Sequence, residues 1–154
     1  MNDAGARVYT ADPLSLEQLS DIRAFVRDAL IALGCSAAID PCALAVDEVC
    51  ANLVEHASAA SHDAPTRIWV QRDGSDAIIV VEDHGTPFDP ADAPPPNLST
   101  NLDDRPIGGL GWFFVKQLMD GVHYTSTPAG SGQVNRLTLT KRGACAPPPD
   151  SPPA

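Results

Sequence analysis

A chain of 154 residues with 44% hydrophobic and only 5% aromatic content has room for one domain, its core built from Leu, Val, Ile and Ala rather than from rings. A formal charge of −10 is the wrong sign for a nucleic-acid binder, which needs a basic footprint. No apolar run reaches the roughly 20 residues of a membrane helix, and Met1 to Arg7 lack a basic-then-apolar leader, so no membrane partner and a cytoplasmic location are expected.

Residues 6–10 read as a short edge strand at the end of an N-terminal segment, 1–13. Residues 15–33 read as a helix: Ser15 and Gln18 suit a capping box, Leu16, Leu19, Ile22, Val26, Ala29, Leu30 and Leu33 keep the helical period, and Gly34 stops it. A second helix is expected from Asp40 as N-cap and Pro41 as first helical residue to about residue 59. Its apolar stripe is Cys42, Val46, Val49, Leu53 and Ala57, and Glu48, Asn52 and Glu55 lie opposite.

Strands at 67–71 and 77–82 follow, joined by a Gly-containing loop, the second apolar enough for the middle of a sheet. The Pro-rich stretch 87–107 is long enough for a lid over a binding site. A third helix is expected over 111–119, then strands at 122–127 and 133–141. A Pro-rich tail, 143–154, is expected to be disordered. This order predicts an α+β fold, a two-layer α/β sandwich whose mostly antiparallel mixed sheet carries helices on one face. Cys35, Cys42, Cys50 and Cys145 show no C-x-x-C spacing, so reduced, mostly buried thiols are expected in preference to a disulfide framework.

Three patches carry chemistry. Glu48 and Asn52 stand one helical turn apart, about 6 Å on one face. The carboxylate can take a proton, and the amide oxygen can ligate Mg²⁺. A solvated helix face would carry the same residues. Asp83 ends the apolar strand as an acceptor suited to an exocyclic amine, and Gly85 allows close approach to a flat base; a plain Asp-x-Gly turn reads the same way. Gly108, Gly109, Leu110 and Gly111 open a helix whose free N–H groups attract phosphate oxygens, with Arg105 just upstream. No Gly-Lys-Ser/Thr follows, so this is not a Walker A loop. His62, His84 and His123 show no transition-metal spacing.

In this order the patches Glu48-x-x-x-Asn52-x-x-x-His56-Ala57, Asp83-x-Gly85-x-Pro87-Phe88-Asp89-Pro90 and Gly108-Gly109-Leu110-Gly111 leading into Val115-Lys116-Gln117-Leu118-Met119-Asp120 resemble the N, G1 and G2 boxes of the GHKL (Bergerat) ATP-binding superfamily. The finer similarity is to anti-sigma-factor serine-protein kinases of the RsbW/SpoIIAB type. The resemblance implies an ATP-binding kinase domain over 14–142, with ATP and Mg²⁺ as cofactors. It makes Glu48 the catalytic base, Asn52 the Mg²⁺ ligand and Asp83 the adenine-recognition residue. Gly85 is the second-box glycine, and Gly108, Gly109 and Gly111 are the phosphate-lid glycines.

It further implies a serine/threonine kinase of a partner-switching system, acting on a STAS-domain anti-sigma-factor antagonist, with a sigma factor as a second partner and a homodimer as the assembly. Two other readings fit the same residues. One is a non-catalytic ATP-binding module whose lid state controls partner binding; the other is a detached histidine-kinase catalytic domain.

Overall fold

The computed structural model describes residues 5–56, 64–87, 109–130 and 132–147. In chain order these form β1 (Arg7–Ala11), a 3-10 turn (Leu16–Gln18), α1 (Leu19–Ala32), a second 3-10 turn (Ser36–Ala38), α2 (Ile39–His56), β2 (Thr66–Asp73), β3 (Asp76–Asp83), α3 (Gly109–Leu118), β4 (Gly121–Ala129) and β5 (Gly132–Lys141). The sheet order is β1-β2-β3-β5-β4, and each neighbouring pair is antiparallel. The expected α+β sandwich is present. The sheet is not mixed, however, because each described pairing runs antiparallel.

Register decides what the two sheet faces carry. Opposed residues share a face, so Ile68 and Val70 of β2, Ile79 and Val81 of β3, and Leu137 and Leu139 of β5 all point inward. There they form one core with Ile22, Val26 and Leu30 of α1, Val46 and Val49 of α2, and Val115 of α3. On the outward face Arg67, Glu82 and Arg136 stand side by side across three strands. Arg136 Nε lies 2.8 Å from Glu82 Oε2, and Arg67 approaches the other carboxylate oxygen at 3.9 Å.

The helix ends follow local chemistry. Ser15 N–H donates to Gln18 Oε1 at 3.2 Å, and the Ser15 side chain faces the Gln18 backbone N–H in return, the expected capping box. Gly34 takes a positive φ of 77°, and the N–H groups of Gly34 and Cys35 return to the carbonyls of Ile31 and Leu30, closing α1 in the left-handed manner that favours glycine. The start of α2 differs from expectation. It begins at Ile39 behind a 3-10 turn, so Asp40 is not the N-cap but sits in the first turn, where its charge meets the positive end of the helix dipole. Residues 57–59 of the expected helix lie outside the described residues.

The cysteines and the chain end also differ from expectation. Cys35 and Cys145 are disulfide-bonded across 110 residues, where free thiols are expected from spacing alone. Spacing rules cannot see this pair, because only the return of β5 brings the chain end back to the α1–α2 turn. Cys42 and Cys50 are free and buried, as expected, and burial pushes each thiol up to about 12. The chain also stays folded past residue 142, with Ala144 and Cys145 buried; residues 148–154 of the expected tail lie outside the described residues.

Candidate functional site

Helix α2 packs on α1, on the sheet and on α3, and its sequence divides accordingly. Cys42, Ala45, Val46, Val49 and Cys50 are buried in the core. Glu48 and Asn52 sit on the side that meets α3. An ideal Cβ built on Gly111 would lie 2.6 Å from Glu48 Oε2 and 3.6 Å from Asn52 Nδ2. Only glycine lets the first turn of α3 approach this closely. The Glu48–Asn52 face is therefore not a solvated stripe: Asn52 is only 8% exposed, and the first and third sequence patches meet.

Asn52 Nδ2 is buried without a hydrogen-bond partner among the described residues. An orphaned amide end in native structure asks for a ligand or an ion. The two ends of a carboxamide exchange by a flip, so the same position can offer a carbonyl oxygen. No cluster of three or more His, Cys, Asp or Glu suited to a metal occurs among the described residues. A cation held at Asn52 would draw its remaining ligands from phosphate and water, the habit of Mg²⁺.

Asp83 closes β3 on the inward face, two residues beyond Val81 in the pleat. Its Oδ2 accepts the Gly85 N–H at 2.9 Å and the Asn135 Nδ2 at 3.4 Å. Both contacts fall on one oxygen, Oδ2. Burial pushes the Asp83 carboxyl above the ordinary carboxylate range; the Gly85 N–H, Asn135 and His84 offset part of that rise, and the neighbouring Glu82 adds to it.

Asn135, which none of the three sequence patches includes, is central to this one. It stands opposite Asp83 in register, is 1% exposed, and donates through Nδ2 to the Gly85 carbonyl at 2.8 Å. Its Oδ1 accepts the Ser126 hydroxyl at 2.7 Å. The row Ser126–Asn135–Asp83 thus crosses three strands and fixes the turn that carries Gly85. The available signal is a polar residue at an inward position of β5, in phase with Leu137 and Leu139. Asn135→Ala leaves the buried Gly85 carbonyl short of its partner and should cost about 1–3 kcal/mol of stability. Chemical denaturation measures this, and an unchanged midpoint would refute the bracing role.

Other candidates are placed less fully. Gly109 and Leu110 belong to the first turn of α3. Gly108, Arg105 and the expected lid beyond Pro87 lie outside the described residues. Lys141 Nζ donates to the Leu118 carbonyl at 2.9 Å, tying the far end of α3 to β5.

Comparison with known proteins gives a match over residues 13–141 to the family described as "Histidine kinase-like ATPase domain". Among solved structures, that of the RsbU and RsbW domains of Rv1364c from Mycobacterium tuberculosis is similar at 17% identity and a TM-score of 0.57, covering 88% of this chain and 32% of that chain. Identity this low speaks to the fold alone. The Acinetobacter baumannii histidine kinase AdeS matches at 12% identity and a TM-score of 0.47, over 89% of this chain and 68% of that one. The histidine kinase domain of the Erythrobacter litoralis EL346 blue-light activated histidine kinase matches at 19% identity and a TM-score of 0.42, over 80% of this chain and 59% of that one. No curated protein matches.

Proposed function

The chain belongs to the histidine kinase-like ATPase domain family, and from that membership, which implies an ATP site, we propose a protein serine/threonine kinase that uses ATP and Mg²⁺. Its substrate would be a STAS-domain anti-sigma-factor antagonist of a partner-switching system. The observation that carries this reading is Glu48, a half-buried carboxylate beside the unpartnered amide of Asn52, directly beneath the glycine at the start of α3. A pure binding module has no need of a carboxylate there.

Asp83 Oδ1 accepts the adenine amine, Gly85 admits the base, and the N–H groups at Gly109, Leu110 and Gly111 meet phosphate oxygens. Gly108 and Arg105 extend that seat. Asn52 supplies the protein ligand for Mg²⁺, which when bound neutralises phosphate charge. The partner's hydroxyl oxygen attacks the γ-phosphorus, the bond from that phosphorus to the β,γ-bridging oxygen breaks, and Glu48 receives the hydroxyl proton as ADP leaves. Sigma-factor sequestration, a homodimer and a cytoplasmic location complete the reading. Among the described residues no helix is long and apolar enough to cross a membrane.

The test is transfer from γ-labelled ATP to a STAS-domain protein. Acid-stable label on that protein supports the proposal. Acid-labile label indicates histidine transfer instead, and ATP binding without transfer indicates a module whose lid state alone speaks to partners.

Gly111→Ala probes the site from the phosphate side. The atom it meets first is the free end of the Glu48 side chain, which can swing away, so stability should fall by less than about 1 kcal/mol. The displaced carboxylate should cost about tenfold or more in transfer rate. A variant that transfers at the wild-type rate would refute this placement of Glu48.

A further inference from the structure

The end of the sandwich remote from Glu48 and Asp83 carries an unexplained construction. After β5 the chain turns back as a strap, residues 142–146, seated between the α1–α2 turn and the β2–β3 hairpin. Cys145 N–H donates to the Ser75 carbonyl at 3.0 Å and Ala146 N–H to the Gly34 carbonyl at 2.9 Å. Gly143 N–H donates to Asp76 Oδ1 at 3.0 Å. Arg72 gathers three segments at once: its guanidinium donates to the carbonyls of Gly74 at 2.8 Å, Leu33 at 3.0 Å and Ala146. The Cys35–Cys145 disulfide lies within this seat.

None of these contacts is made by the disulfide sulfurs, so they would remain to keep the two cysteines apposed in the reduced protein. A pre-seated pair closes internally at high effective concentration, faster than it exchanges with solvent thiols. The other two cysteines stay out of the chemistry, because burial holds Cys42 and Cys50 as thiols rather than nucleophilic thiolates.

We propose that Cys35 and Cys145 form a thiol–disulfide modification site, a reversible latch that ties the chain end to the root of α2. Its reactant is a low-molecular-weight disulfide of the glutathione type. One thiolate attacks that disulfide, forming a mixed disulfide and expelling one small thiol. The second thiolate then displaces the other, so two protein thiols are oxidised and the small disulfide is reduced to two thiols. Cys35 is fully buried and Cys145 is 6% exposed, so exchange follows local lifting of the strap at its exposed Ala146 end. Cys35 lies just ahead of the turn that launches α2, so the oxidised latch clamps the base of the helix bearing Glu48 and Asn52.

The full chain is equilibrated in glutathione buffers of graded reduced-to-oxidised ratio, quenched in acid, alkylated after denaturation and weighed. Two interconverting species are expected, one with four alkylated cysteines and one with two, the latter mapping to a Cys35–Cys145 link. The linked form should melt roughly 10 °C above the reduced form, since the bond closes a loop of 110 residues. Cys35→Ser and Cys145→Ser should melt alike in both buffers, and Arg72→Ala should shift the midpoint at least threefold toward oxidising ratios. Four free thiols at every ratio, stable glutathione adducts in place of the link, a link that resists dithiothreitol in the folded protein, or an Arg72→Ala midpoint equal to wild type would each overturn the proposal. No nucleotide enters the measurement, so it stands or falls separately from the phosphotransfer reading.

Discussion

Glu48→Gln should bind ATP within about threefold of wild type and transfer phosphate about 10²–10⁴-fold more slowly, the usual contribution of a positioned base. Glutamine keeps the length, shape and acceptor oxygen of glutamate but cannot take the hydroxyl proton. It also spares the contact with the start of α3, where a shorter residue would open space under Gly111. Single-turnover transfer to the STAS-domain protein, alongside nucleotide binding by calorimetry, separates the two effects. If binding and transfer fall together, Glu48 acts on the nucleotide rather than on the attacking hydroxyl. If neither changes, it is no base.

Asp83→Asn should behave in the opposite way, weakening ATP binding by about 100-fold while leaving the protein at least as stable. The affinity loss follows from chemistry at Oδ1. Asparagine satisfies the Gly85 N–H with its oxygen and so presents its NH₂ to an adenine amine, donor against donor, at a cost of roughly 3 kcal/mol. The stability claim follows from linkage. Burial raises the Asp83 carboxyl in the folded protein, so between the ordinary carboxylate value and the raised one the folded state holds the proton more firmly than the unfolded state.

Stability contributed by this group therefore falls as pH rises through that window, and at neutral pH its charge is a net cost. Neutral asparagine removes the cost. The same shift predicts that wild-type ATP affinity weakens on acidification sooner than an ordinary carboxylate would require, and that Asp83→Asn lacks this dependence. A midpoint lowered by the substitution, or an unchanged affinity, would refute the assignment.

Much of this architecture is legible in the chain because local rules carry it. The apolar period of α1 and the left-handed Gly34 define a helix and its stop without tertiary help. The Ile78–Val81 run announces an inner strand, and the three patches come in an order that outweighs what each says alone. What escapes depends on long-range register. Asn135 matters because β5 lies beside β3 with that residue opposite Asp83, a fact no local window contains. The burial of Asn52 depends on α3 covering α2, and the Cys35–Cys145 pair on the chain end returning to α1. The start of α2 is misplaced for a different reason: Asp40-Pro41 is a good capping signal, but the 3-10 turn ahead of it already supplies the helical path.

The two carboxylates side by side in β3, Glu82 and Asp83, have a consequence for how precisely the strand must be set. In a pleated strand a shift of one residue exchanges the faces. Such a slip would turn Glu82 toward the candidate site and bury Asp83 between the two arginines, with almost no change in composition on either side. Arg67 and Arg136 flank Glu82 from both neighbouring strands, so the outward face has a positively charged slot cut for one carboxylate. That slot works as an index mark. By claiming Glu82, which is itself buried, it dictates which of two near-identical groups is left on the inward face, and an ion pair reaching in from two exposed arginines becomes a guarantor of which acid the candidate site presents.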